Sequence, residues 1–242
     1  MSQDTVISLS GLKPDADNIP SLPSDFGVII APKPLWQRAI YPPRLSVNGL
    51  LIGVLFSMLA ALLGFTFISI PSPFNGWLFQ TPQTLQYTPQ LSWLLMTGAL
   101  LGPFMGPAAI LLFLVTGLFF LPLFANGGGW QYIFEPGFGY LLATLPAGFW
   151  LARSYHKALQ KTDRGSRSLR LLQKAITATL AVHGVGNLYI LALSLAGLLS
   201  WHDCWGWLFH LSLEKLPYDL LATIVLLGLV RQIRLGLWLV LY

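Results

Sequence analysis

Apolar residues gather into long blocks separated by short polar or proline-rich breaks, the pattern of helices that cross a bilayer rather than of helices with one wet face. Residues 47–70 form an uncharged run of 24 positions, longer than the roughly 20 that span a bilayer as a helix. Residues 91–101 and 106–120 are two further spans joined by the tight turn Gly102-Pro103-Phe104-Met105-Gly106. Including Gln90 and residues 121–124 gives both the length to cross. Residues 140–151 are a fourth span, with a start reaching back to Pro136 because proline is favoured in a first helical turn. Residues 175–199 and 216–230 are the fifth and sixth. The fold class is therefore all-α: a polytopic integral membrane protein with six transmembrane helices.

The breaks divide the chain further. Residues 1–45 are polar, carry seven prolines and keep no period of 2 or 3.6, so they read as a flexible cytoplasmic tail ahead of a six-helix transmembrane domain at 46–242. Residues 71–90 contain Pro71, Pro73, Pro82 and Pro89 and no charge, which suits an interfacial or re-entrant cover on the outer side. Residues 153–174 form a basic loop, with seven cations against Asp163 alone. With the N-terminus inside and six spans, 13 of the 14 Lys and Arg fall on the inner side, leaving Lys215 outside. This asymmetry obeys the positive-inside rule and places both termini in the cytoplasm.

Composition agrees with the pattern: 55% hydrophobic and 10% charged with mean hydropathy +0.65, where soluble domains carry roughly 25% charge. The net charge of +5 is explained by topology, not by nucleic-acid binding, although the basic loop also suits contact with anionic membrane lipid. A single cysteine, Cys204, rules out an internal disulfide and a cysteine metal cluster. No signal peptide with a basic start, apolar core and cleavage site is visible.

Candidate chemistry lies in the outer breaks. Irregular backbone is costly beside hydrocarbon unless protein or a watery cavity covers it. The stretch 117–141, with Pro122, Gly127, Gly128, Gly129 and Pro136, therefore reads either as the wall of a pocket or as a plain outer hairpin. Asp219 stands in the first turn of the sixth span behind Pro217; it serves there as a helix cap or, as an acid at the edge of an apolar span, as a functional group. Asn126 is a turn former or a donor, Glu135 a solvated loop acid. His183 reads as a buried packing histidine more readily than as a ligand. In the first span Gly53, Ser57, Ala61, Ala60 and Gly64 recur at intervals of four, so one helix face is bare and allows close approach of another helix of this chain or of a separate subunit. No metal-ligand spacing, nucleophile motif or phosphate loop appears.

Taken in order, these pieces resemble the BioY family, the biotin-binding membrane (S) components of energy-coupling factor (ECF) transporters. The resemblance rests on Thr88 and Gln90 ahead of Gly98-Ala99-Leu100-Leu101-Gly102-Pro103, and on Gly117 with Leu121-Pro122-Leu123-Phe124-Ala125 and the glycine run. It continues in Pro136, Gly139, Tyr140 and Leu141 and in Pro217-Tyr218-Asp219-Leu220-Leu221, across residues 47–234. It implies capture of biotin on the outer side of the plasma (inner) membrane, without catalysis, metal or cofactor. The first helix would dock on a transmembrane coupling subunit served by ATPase subunits.

Biotin brings two ureido N–H donors, a ureido carbonyl, an apolar bicycle and a carboxylate. The residues expected to meet it are Asp219 as acceptor, Asn126 and the amides around Gly128 as donors, and Phe124, Trp130 and Tyr140 against the rings. Gln90 and Lys215 complete the set. Two positions depart from the family: Ala222 stands where a lysine is usual, and Glu135 where a glycine is usual. They leave open an S component for a different small vitamin. A membrane enzyme using Asp219 with His183 or His210, and a ligand-free scaffold, are the remaining alternatives.

Overall fold

The computed structural model describes residues 47–75, 83–159 and 164–241; the N-terminal tail expected at 1–45 lies outside them. The first helix, α1 (Val47–Phe65), is shorter than the uncharged run that encodes it. Thr66 Oγ1 donates back to the carbonyls of Leu62 and Leu63, and the chain then extends. Ile68, Ser69 and Ile70, two of them β-branched, favour strand over helix. Strand β1 (Ile68–Pro71) pairs antiparallel with β2 (Thr84–Tyr87), Ile68 opposite Tyr87 and Pro71 opposite Thr84. The segment expected to be an irregular cover thus carries a hairpin.

Helix α2 (Gln90–Phe119) contains the expected turn as a sharp break: Gly102 adopts φ 90° and ψ −178°, a conformation open to glycine and hostile to other residues. The two limbs fold back on each other so closely that a methyl group on Gly106 would lie 2.7 Å from the Gly98 Cα. Helix α3 (Phe138–Leu159) crosses the same point, where a methyl group on Gly98 would fall 2.9 Å from the Gly148 carbonyl oxygen. Backbone meets backbone here, the close approach that small residues permit. Residues 121–124, added above to lengthen the second limb, are not helical.

Helix α4 (Arg164–Leu195) begins within the expected basic loop. Most of that loop is therefore helix, extending α3 and α4, in keeping with the high helix propensity of Arg, Lys, Leu and Gln. Segments Gln90–Phe119 and Ser168–Leu195 are long and apolar enough to cross a membrane. The first is broken at Gly102, and its limb from Gln90 to Leu101 reaches only about 18 Å at 1.5 Å per residue. The Trp-rich stretch expected to be a loop is a short helix, α5 (Trp201–Leu208), capped by Ser200 Oγ accepting from the Asp203 amide. A π-turn (Phe209–Leu213) leads into α6 (Leu216–Leu241).

The small-residue stripe of α1 is occupied within the chain. Ser57 Oγ contacts the carbonyls of Gly53 and Ala109, 2.9 Å in each case, and Ala60 and Ala61 are buried. Gln90 Nε2 donates to the Ala60 carbonyl at 3.2 Å, and Gly64 sits against the Gln90 side chain. Gly53, Ser57, Ala60, Ala61 and Gly64 thus pack α1 on α2 and are not free for a separate subunit. The other face of α1 exposes Leu51, Leu55, Met58 and Leu62.

Candidate functional site

The N-terminal ends of α2, α3 and α6 meet the C-terminal half of α4 and the end of the β-hairpin around one buried carboxylate. Pro217 opens α6, whose first turn closes with the Asp219 amide donating to the Lys215 carbonyl. Asp219 is therefore held at the positive end of a helix, and it is only 2% exposed. Its Oδ1 accepts from the Tyr87 hydroxyl at 2.9 Å and lies 3.3 Å from Ser92 Oγ, whose one proton is shared with the Asp219 backbone carbonyl at 3.1 Å. Its Oδ2 lies 3.2 Å from His183 Nε2. A buried carboxylate needs such partners, since leaving one unpaired costs several kcal/mol.

The polar contacts continue away from Asp219. His183 Nδ1 lies 3.1 Å from Ser212 Oγ on the π-turn, and Asn187, one helical turn on, donates its Nδ2–H to the same hydroxyl at 3.2 Å. The Tyr140 hydroxyl donates to Asn187 Oδ1 at 2.6 Å. On the far side Thr223 Oγ1 donates to Ser92 Oγ. Burial, then the Asp219 charge, holds the Tyr87 phenol above its ordinary range.

A small, partly open cavity of about 70 Å³ adjoins this network. Asp219, Lys215, Tyr140, Asn126 and Gln90 line it, with Leu91, Leu141 and Leu211 forming apolar wall. Burial lowers the pKa of the half-buried Lys215, and Asp219 and Glu214 partly offset the effect. Tyr132 also lines the cavity; burial, with Glu135 behind it, pushes its phenol up to about 12.

The hairpin is fastened beside the cavity. Glu214, 4% exposed, accepts from Ser72 Oγ at 2.7 Å on one oxygen and lies 2.7 Å from His210 Nδ1 on the other. Tyr218 donates its hydroxyl to the Pro71 carbonyl, and Phe74 packs on Phe209 with ring centroids 5.5 Å apart. Thr88, just past β2, reaches the cavity wall.

Five of the eight ligand-contact residues nominated from sequence thus surround one cavity. The other three do not reach its lining. Phe124 is fully buried, its ring in the notch left by Gly117 and against Phe113 and Tyr132. Gly128 packs its backbone on Gly117 and Pro122. Trp130 is 59% exposed and pairs edge-on with Phe134 at 6.3 Å. Glu135 is exposed, and neither it nor Ala222 is on the lining. Sequence alone does not single out Tyr87, Ser92 or Ser212, and it reads His183, beside Asn187, as packing more readily than as a ligand. The available signal was His183 and Asn187, polar and four apart on one face of an apolar helix.

The architecture is that of a mostly helical membrane protein with a cavity beside a buried acid. A sequence model of the BioY family matches residues 39–237, and the chain belongs to that family. It is similar to the probable biotin transporter BioY of Lysinibacillus sphaericus, 35% identical over 105 residues. That match covers 41% of this chain and about half, 48%, of the relative's length. Among solved structures it is similar to the S-component for biotin from an ECF-type ABC transporter. The TM-score is 0.55 at 24% identity, covering 78% of this chain and 91% of the other; this likeness bears on the fold.

Proposed function

We propose that this chain takes up biotin as a membrane-embedded S component. In this reading it captures the vitamin on the outer side of the plasma (inner) membrane and delivers it to ATP-driven import with an ECF coupling subunit and ATPase subunits. The observation that carries the reading is a cavity with a buried acceptor, Asp219, and a cation, Lys215, on one lining. They match the ureido N–H groups and the carboxylate of biotin. Asn126 donates to the ureido carbonyl, and Tyr140 and Leu141 cover the bicycle. The related transporter and the S-component fold support the same reading.

The transmembrane domain would comprise residues 46–242, its six crossings being α1, the two limbs of α2, α3, α4 and α6. Arg153 and Lys157 on α3 and Lys174 on α4 lie toward the end opposite the cavity, which supports an outward-facing site by the positive-inside rule. Family membership favours transport over acid–base catalysis for the His183–Asp219 contact. Docking on a coupling subunit would use the exposed bulky face of α1, since its small-residue face is covered. Ala222, where the family usually carries lysine, favours a second reading in which a related small vitamin is the cargo.

The test is thermal unfolding of the purified protein with and without biotin, beside Asp219→Ala. Biotin at a hundred times its dissociation constant should stabilise the wild type by about 2.7 kcal/mol, a shift absent in the variant. A shift with another vitamin and none with biotin would transfer the assignment to that vitamin.

A further inference from the structure

The network behind the cavity runs in one direction. An amide oxygen only accepts and an amide nitrogen only donates. At Asn187 the Tyr140 hydroxyl proton therefore goes to Oδ1, while Nδ2–H goes to Ser212 Oγ. A carboxylate likewise only accepts, so the 3.2 Å contact between His183 Nε2 and Asp219 Oδ2 requires the imidazole proton on Nε2. In the neutral imidazole Nδ1 is then a lone pair 3.1 Å from Ser212 Oγ, and Ser212, already accepting from Asn187, gives it its own proton. Every donor from Tyr140 through Asn187, Ser212 and His183 points toward Asp219.

This direction decides what the two ends offer the cavity. The Tyr140 proton is committed to Asn187, which leaves the phenol oxygen as an acceptor. Asp219 has about four lone-pair sites; Tyr87 meets Oδ1, where Ser92 is shared with the Asp219 backbone carbonyl, and His183 meets Oδ2, leaving at least one. Both Tyr140 and Asp219 line the cavity. We propose that the relay Tyr140–Asn187–Ser212–His183–Asp219 sets selectivity by presenting two acceptors and no donor at these positions. The cavity thereby selects an uncharged head group with two N–H donors, such as a cyclic urea, with His183 as the positioning residue that fixes the direction. The choice of biotin as probe rests on the reading above; the direction of the relay does not.

Two measurements on the full-length protein in detergent test this. The first is the 15N signature of His183 without ligand, assigned by its loss in His183→Gln. The neutral Nε2–H tautomer is expected, and an Nδ1–H tautomer or an imidazolium would overturn the relay. The second compares biotin with two cyclic carbamate analogues, each with one ring N–H replaced by oxygen. Each analogue should bind the wild type at least about tenfold more weakly, the loss of one buried hydrogen bond. In Tyr140→Phe one of the two penalties should shrink to roughly threefold or less while the other persists. Equal binding of carbamates and biotin, or penalties unchanged in Tyr140→Phe, would overturn the selectivity. If the wild type binds no biotin, the biotin reading falls, and the relay stands or falls by the tautomer alone.

Discussion

The middle of the bundle and its cavity end are held by opposite means. At the crossing of Gly98, Gly106 and Gly148 the helices touch backbone to backbone, with contacts that tolerate no added volume. Around Asp219 they are joined by hydroxyls, an amide, an imidazole and a carboxylate, with space left for a ligand. Dispersion at close contact is non-directional and rigid. Hydrogen bonds between buried groups fix orientation and leave lone pairs to recruit a partner. The chain thus separates a scaffold from a site that reads chemistry.

The sharpest way to break this contrast is to enlarge the crossing. Gly106→Leu should abolish folded protein, because the side chain meets Gly98 backbone that has nowhere to move; overpacking ordinarily costs about 1–3 kcal/mol and here exceeds it. Monodispersity on size exclusion reads the outcome. At the cavity end, Lys215→Met should weaken biotin binding about tenfold, roughly 1.4 kcal/mol, yet leave the melting temperature unchanged or raised, since burial already disfavours the ammonium. The sign in pH follows from the lowered pKa: attraction for the ligand carboxylate is present below that pKa. It is lost as pH rises through a value below the usual lysine range, so wild-type affinity should decline in alkali while that of the variant stays flat.

A smaller effect is expected at the fastening of the hairpin. Glu214→Gln keeps volume but removes the charged acceptor of Ser72 and His210, a difference of about 1 kcal/mol. Hydrogen exchange at β2 amides should accelerate while exchange in α3 does not. The smallest change is Trp130→Ala, within about 0.5 kcal/mol in stability and without effect on biotin affinity, because the ring lies off the lining. A large loss of binding there would move the site toward the glycine run.

The uneven legibility of the sequence has the same origin. The helices are encoded by apolar runs, and the break at Gly102-Pro103 by residues whose backbone preferences permit little else. The hairpin escaped notice because Ile68–Pro71 continues the apolar run of α1, whereas Thr84–Tyr87 stands among polar residues. Lysines and arginines suggested a loop at 153–174 although they are good helix formers. Asp219 and Lys215 were conspicuous as ionisable groups at the edge of an apolar span. Phe124 was equally conspicuous as an aromatic, but the notch at Gly117 takes its ring into the core. The partners of Asp219 come from β2, α2 and α4, with Ser212 beyond on the π-turn; only tertiary packing assembles them, and no local spacing records it.

The central claim is that the cavity beside Asp219 receives biotin, and a structure of the protein determined with biotin tests it most directly. The expected result is the ureido ring against Asp219 and Tyr140 with the carboxylate toward Lys215. Biotin bound elsewhere, or an empty cavity at saturating biotin, would contradict the account.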